Sequence, residues 1–298
     1  MLRGPDHIAI RTGSDTGSEA GGLCAIVEER TTCDMHTALL AFVLMFQTLL
    51  AEGVPQPEEG AEEVRVHNLT MEVDGVTYAW AIMIPPGVEE GGPALLFLHG
   101  AGECGTDGKK NLEAGLPWHI RNETQNWPFV IIVPQKPTLE SEWEDHAEAV
   151  LAMLDEAAEE GLYEPARLAI TGLSQGGHGT IMIASMHPER FQAAAPVCGY
   201  VDRYFSTEGD GVARDPVTAE DEPVIAAAET LAKMPVWLFH GTLDDVVPPE
   251  ESRALAVAIK ERRGDVQFTE FKGANHNAWD PAYSNPELAE WFVEQTKE

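Results

Sequence analysis

The sequence predicts an α/β fold: a mostly parallel central sheet, helices on both of its faces, and an antiparallel hairpin at its N-terminal side. Three observations carry that expectation. Two segments of alternating, β-branched character flank Asp74-Gly75, a strong hairpin signal because such a turn needs backbone conformations that Asp and Gly tolerate. A series of short, continuously apolar runs follows, as expected of parallel strands buried on both faces. Periodic stretches of helical length separate those runs, and this alternation folds as a parallel sheet covered by helices.

In chain order, EVRVHNLTMEV (63–73) and VTYAWAIMIPP (76–86) form the hairpin. The buried strands are ALLFLHG (94–100), FVIIVPQ (129–135), RLAITG (167–172), FQAAAPVCG (191–199), PVWLFHG (235–241) and VQFTEFKG (266–273). The helical stretches include EDHAEAVLAMLDEAAEEG (144–161), GGHGTIMIASMHPE (176–189) and PEESRALAVAIKERRG (249–264). Several end at glycine or proline, which stop helices. With no internal repeat in view, residues 64–298 read as a single domain.

The composition narrows the function classes. Of 298 residues, 44% are hydrophobic and 23% charged, as in soluble globular proteins. Fifty Asp and Glu against nineteen Lys and Arg give a formal net charge of -31. That charge repels a phosphate backbone, so nucleic acid is disfavoured and not expected as a partner. A surface this acidic is also one way to stay soluble in high salt, although a merely acidic protein has the same composition. Cys24, Cys33, Cys104 and Cys198 form no CxxC pair and no metal-ligand spacing, and read as scattered free thiols.

The first sixty or so residues differ from the rest. Residues 11–22 (RTGSDTGSEAGG) are small and polar and read as unstructured. TALLAFVLMFQTLLA (37–51) is apolar but shorter than the about twenty residues of a membrane span, and fits the core of a secretory signal. Ala51-Glu52-Gly53 supplies small residues for cleavage before Val54. Against this stand Glu28, Glu29 and Asp34, where a signal should be short and basic. A start at Met35 removes the conflict; a packed amphipathic helix is the competing reading. The expectation is an extension over 1–53, an acidic linker over 54–63, no stable membrane span in the mature form, and export in preference to the cytoplasm.

Chemistry enters at residues 170–180, ITGLSQGGHGT. A Gly-x-Ser-x-Gly pentad between a predicted strand and a predicted helix is the placement of a nucleophile held at a sharp turn. Gly172 and Gly176 stand where a β-carbon would clash, and Gly177 and Gly179 would let the helix lie close on the sheet. A serine hydroxyl needs a base, and the base an acid. The order serine, acid, histidine leads to Asp244 or Asp245 in HGTLDDVVPP, and then to His276 in GANHNAWD. His178 and His187 read as surface or packing residues, and His240 as a structural histidine at a strand end. Two backbone N–H groups must face the developing oxyanion. Gln175 follows the nucleophile, and Ala101 lies in HGAGECGTDG (99–108) after an earlier strand, with His99 and Gly100 shaping that loop.

FLHGAGECGTDG, YEPARLAITGLSQGGHGT, HPERFQAAAPVCG, PVWLFHGTLDDVVPPEES and GANHNAWDPAYSNPELAEWF follow one another in a way that resembles the α/β-hydrolase superfamily. More narrowly, residues 64–298 look like the branch of serine esterases related to feruloyl esterases, polyhydroxybutyrate depolymerases and carboxylesterases, often labelled predicted peptidases. The resemblance implies the α/β-hydrolase fold and an acid in HG-x-x-D-x-x-V-P. That pattern matches His240, Gly241, Asp244, Val247 and Pro248, which favours Asp244 over Asp245. It also implies His276 as base and Ala101 as an oxyanion donor. Cys104 departs from relatives, which often carry a polar or charged residue there. Cys104 and Cys198 should lie at one end of the sheet, as two free thiols in preference to a disulfide.

The implied activity is hydrolysis of carboxylic esters, with acylated carbohydrates among the substrates considered, by Ser174, His276 and Asp244, and without metal or organic cofactor. A serine peptidase and a non-catalytic binding protein of the same fold are the alternatives. Trp118, His119 and Trp127 from NLEAGLPWHIRNETQNW (111–127), with Trp143, Tyr200, Tyr204 and Trp279, are candidate substrate contacts in the loops at the carboxyl ends of the strands. Residues 200–230 exceed a simple crossover and read as a flap over the site.

Overall fold

The computed structural model describes residues 63–123, 126–202 and 217–297. The chain divides into two units, Met1–Glu58 and Glu59–Glu298, and every described residue belongs to the second. The signal-like segment, residues 1–53 and most of the linker therefore lie outside the described residues, as do Cys24, Cys33 and Tyr204.

The architecture is the expected one: an eight-stranded sheet in the order β1-β2-β4-β3-β5-β6-β7-β8. β1 (Arg65–Val73) and β2 (Val76–Ile84) form the hairpin around Asp74-Gly75. Both residues have positive φ, 51° and 78°, as the hairpin turn demands. β2 runs antiparallel to β4 (Val130–Pro134). Every later pairing is parallel, through β3 (Gly92–Leu98), β5 (Tyr163–Leu173), β6 (Ala194–Val197), β7 (Val236–Gly241) and β8 (Val266–Phe271).

Because side chains alternate across a strand, the continuous apolar runs feed two cores at once. Ala94, Leu96 and Leu98 of β3 enter one core, and Leu95 and Phe97 the other. The first core takes Val150 and Leu154 of α2 (Ala147–Glu159), Ile181 of α3 (Gln175–Met186), Val224 and Leu231 of α4 (Glu222–Leu231), and Leu255 and Ile259 of α5 (Glu250–Glu261). The second takes Leu116 of α1 (Gly115–Asn122), Tyr283 of α6 (Trp279–Tyr283) and Phe292 of α7 (Pro286–Gln295). Each large apolar side chain buried in this way contributes about 1.5–3 kcal/mol.

The strand order also places the site. β4 lies on the side of β3 away from β5, so the chain reverses its direction of travel across the sheet between β3 and β5. The segment after β3 reaches α1 in the second core, and the one after β5 enters α3 in the first. A crevice opens outside the carboxyl ends of strands at such a switch point. Leu98 pairs with Gly172, and Leu173 with Val197, so the turns after β3, β5 and β6 emerge level with one another.

Three details differ from expectation. The strand foreseen over 191–199 is only Ala194–Val197, because Cys198 turns the chain at φ 41°. The stretch 111–127, read as a site loop, contains α1. Residues 222–231 of the foreseen flap form α4, an ordinary crossover helix with Val224, Ala227, Ala228 and Leu231 buried. The part over 203–216 lies outside the described residues. No helix among the described residues is long and apolar enough to cross a membrane.

Candidate active site

The sharp turn after β5 is a steric construction. Ser174 adopts φ 55° and ψ −116°, a conformation that costs a non-glycine residue on the order of 1–3 kcal/mol and persists only where the surroundings enforce it. The Ser174 N–H donates to the Val197 carbonyl at 2.9 Å, and its carbonyl accepts from the His178 N–H at 3.0 Å. A β-carbon at Gly172 would meet the Gly176 carbonyl oxygen at 2.3 Å. One at Gly177 would meet the Val197 carbonyl at 2.5 Å, whereas one at Gly179 would strike the Trp143 side chain. Gly179 thus makes room for Trp143 instead of for the sheet, which corrects the sequence reading.

His276, in the loop after β8, spans the gap between serine and acid. Its Nε2 lies 2.9 Å from Ser174 Oγ, and its Nδ1 lies 2.7 Å from Asp244 Oδ2. A carboxylate only accepts, so Nδ1 carries the ring proton and Nε2 is free to accept from the serine hydroxyl. Asp244 Oδ1 accepts the N–H groups of Val246 and Val247, both at 2.9 Å. Burial alone would push this carboxyl up. The His240 and His276 imidazoles and the Val247 and Val246 N–H groups outweigh it and hold the group well below the usual carboxylate range. Asp245 is exposed on the same loop. Trp279 stands at 90° to the His276 ring, with centroids 5.5 Å apart.

The turn after β3 faces this arrangement. Ala101 opens a short 3-10 turn, Ala101–Glu103, and Gln175 opens α3; the first N–H groups of a helix have no partner within it. His99 braces the turn. The Lys136 N–H donates to His99 Nε2 at 2.9 Å, so Nδ1 carries the proton and donates to the Gly100 carbonyl at 2.6 Å. Burial, reinforced by the Lys136 charge and opposed by the Gly100 carbonyl, lowers the His99 pKa to about 3. The Gln175 side chain holds the facing loop, donating to the carbonyls of Leu139 at 3.2 Å and Ser141 at 3.1 Å.

Of the expected substrate contacts, four are buried in the packing instead. Trp143 is 1% exposed and donates from Nε1 to the His99 carbonyl at 3.1 Å. It is a strut beneath the β3 turn. Tyr200 is 1% exposed, stacks on His178 at 4.4 Å and donates to Glu142 at 2.9 Å. His119 is 2% exposed and lies between Glu123 at 2.9 Å and Asp280 at 3.4 Å, tying α1 to α6. Trp127 is likewise buried. Trp118, 40% exposed on α1, and Trp279 keep surface to offer a ligand. His178 is a packing residue, fully buried, and His187 is partly exposed.

Cys104 and Cys198 are free thiols. Cys104 Sγ lies 4.0 Å from Gln175 Oε1, and burial pushes the Cys198 thiol far up. Cys198, Asp244 and His276 form a cluster whose ligand atoms lie within 4.8 Å of one another. The histidine nitrogen and carboxylate in it are already joined to each other, and the thiol is held protonated, so the cluster is a poor metal cradle. A cavity of about 910 Å³ near α1 and α7, lined by residues such as Asn122, Ser284 and Ala289, contains none of these groups.

Comparison with known proteins bears on the same region. The sequence pattern of the prolyl oligopeptidase family matches residues 142–298. A solved thermostable esterase superposes with a TM-score of 0.62 at 28% identity, covering 78% of this chain and 63% of its own. An acylaminoacyl peptidase of Pyrococcus horikoshii superposes with a TM-score of 0.58 at 18% identity, covering 85% of this chain and 43% of its own. An uncharacterized secreted protein of Arthroderma benhamiae is 30% identical over 115 residues, which is 36% of this chain and 12% of that protein. The chain therefore spans less than two thirds of the esterase and about an eighth of the fungal protein.

Proposed function

For this chain, which belongs to the prolyl oligopeptidase family and is a serine hydrolase of the α/β-hydrolase fold, we propose hydrolysis of carboxylic esters through Ser174, His276 and Asp244. The observation that carries the reading is the unbroken relay from Ser174 Oγ to His276 at 2.9 Å and on to Asp244 at 2.7 Å.

In this mechanism Ser174 Oγ attacks the ester carbonyl carbon while His276 Nε2 takes the hydroxyl proton. Asp244 stabilises the imidazolium that forms and keeps its Nδ1–H in place. The negative oxygen of the tetrahedral intermediate lies against the Ala101 and Gln175 N–H groups. Collapse breaks the bond to the alcohol oxygen, which leaves with the proton from His276, and Ser174 carries the acyl group. Water then attacks the acyl-enzyme by the same route in reverse roles, releasing the acid. Trp118 and Trp279 are the aromatic surfaces proposed to contact substrate.

Ester substrates are favoured over peptides because the esterase shares 28% identity with the chain, whereas the peptidase shares 18% and supports the fold alone. Peptide hydrolysis is the second reading, supported by the family. Rates on a p-nitrophenyl ester and a peptide p-nitroanilide separate the two. The proposal requires the ester to be cleaved faster by at least tenfold, and a faster anilide would reverse the order. Export is part of the proposal, supported by the apolar segment 37–51 and by the secreted fungal relative.

A further inference from the structure

We infer that His240 is a positioning residue of the relay, a second imidazole that, held in place by Ser252, donates to the oxygen of Asp244 that already receives His276. The inference rests on the proposed roles of Ser174, His276 and Asp244.

His240 is the penultimate residue of β7 and is fully buried. Its Nδ1 lies 2.7 Å from Ser252 Oγ on α5, and its Nε2 lies 3.0 Å from the Val247 carbonyl oxygen. A carbonyl oxygen only accepts, so Nε2 carries a proton and donates to it, while the Ser252 hydroxyl is bonded to Nδ1. The ring is thus held at both nitrogens, with its Nε2–H turned toward the Val247 carbonyl. The same Nε2 lies 3.2 Å from Asp244 Oδ2, with both side chains fully buried, so one N–H is shared between the Val247 carbonyl and the carboxylate.

The two oxygens of Asp244 then have different duties. Oδ1 takes the Val246 and Val247 N–H groups and fixes the carboxylate to its own loop. Oδ2 takes His276 on one side and His240 on the other. The Val247 peptide serves both, its N–H on Asp244 and its carbonyl on His240. The titratable groups facing Asp244 are His240 at the end of β7, His276 after β8, and Cys198 after β6. Of these, the two histidines are the donors, and the thiol is buried and protonated.

A donor on Oδ2 draws off part of the charge that would otherwise act on the His276 proton, and it restrains rotation of the carboxylate. Its loss therefore has two signatures that a mere clip between β7 and α5 would not give. The His276 Nδ1–H resonance, far downfield in the proton spectrum, moves, and the acid limb of kcat/KM shifts to higher pH. A hydrogen bond to a charged group is worth enough that kcat falls about tenfold, with KM little changed.

The test compares the full-length protein with His240→Leu, His240→Gln and Ser252→Ala by proton NMR, thermal unfolding, and kcat and KM on p-nitrophenyl butyrate. His240→Leu is expected to move the resonance, shift the acid limb and lower kcat. His240→Gln, whose amide N–H reaches the place of Nε2–H, is expected to restore most of all three. Ser252→Ala is expected to move the resonance less and in the same direction, and decides the matter if His240→Leu does not fold. An unmoved resonance in the folded variants, with lowered melting temperature alone, overturns the inference. The resonance needs no substrate, so a parent protein without esterase activity contradicts the proposed function and leaves this reading to be decided by the spectrum.

Discussion

A β-carbon built on Gly176 would lie 2.0 Å from the Leu98 carbonyl oxygen, so the helix after Ser174 touches the strand that leads to the facing turn. Gly176→Ala must push α3 away from β3 and with it the spacing between Gln175 and Ala101. Overpacking of this kind costs about 1–3 kcal/mol or more. Urea unfolding should show that loss, together with a lower kcat in whatever protein folds. Gly102 is the control: a β-carbon there meets nothing within 4 Å, and Gly102→Ala should leave stability within about 0.5 kcal/mol.

Asp244 and Asp245 are neighbours in sequence and opposites in environment. Asp244→Asn removes the charge that fixes the His276 tautomer and should lower kcat on the order of 10⁴-fold, as in other serine hydrolases of this design. Asp245 is exposed, and Asp245→Asn should stay within about twofold, a change smaller than 0.5 kcal/mol. Steady-state kinetics on one ester substrate measures both. Equal effects would mean that the loop presents the wrong carboxylate.

His99 gives the fold an acid-labile component. Its pKa is about 3 in the folded protein and about 6.5 when unfolded. The neutral form is the one that accepts the Lys136 N–H, so between these values the unfolded chain binds a proton that the folded chain refuses. Stability contributed by His99 is complete above about pH 6.5 and is lost as pH falls toward 3, by about 1.4 kcal/mol per pH unit. Urea unfolding from pH 4 to 7 should therefore show a shallower acid decline in His99→Asn than in the parent. Parallel curves would contradict this assignment.

The surface charge predicts a response to salt. A formal charge of -31 repels itself in the folded state, and salt screens that repulsion. Urea midpoints should rise between low salt and 1 M NaCl. A fall would exclude adaptation to a saline setting.

What the sequence reveals depends on what kind of constraint acts. The strands are legible because a parallel sheet buried on both faces leaves its mark as unbroken apolar runs such as VIIVP (130–134). Ser174 stands out because the glycines around it are steric necessities. α1 is not legible, since it starts at Gly115 with φ 61° and carries Pro117 in its first turn; both residues read as loop. Nor does the sequence say which aromatic faces outward. Trp143 and Trp279 occupy similar positions after strands, yet one holds up the His99 carbonyl and the other stands beside His276. The link between His240 and Asp244 needed the loop geometry. The sequence shows two residues in HGTLD, and only the folded loop returns the acid to the imidazole.

Acyl transfer through Ser174 is the central claim, and its most direct test is hydrolysis of p-nitrophenyl esters from acetate to octanoate, with methyl ferulate, by the full chain and by Ser174→Ala. Samples quenched during turnover are analysed by mass. The account predicts cleavage that disappears in Ser174→Ala, and an acyl group on the peptide holding Ser174 in the parent alone. Cleavage that survives the substitution, or a folded parent that cleaves none of the esters, would contradict it.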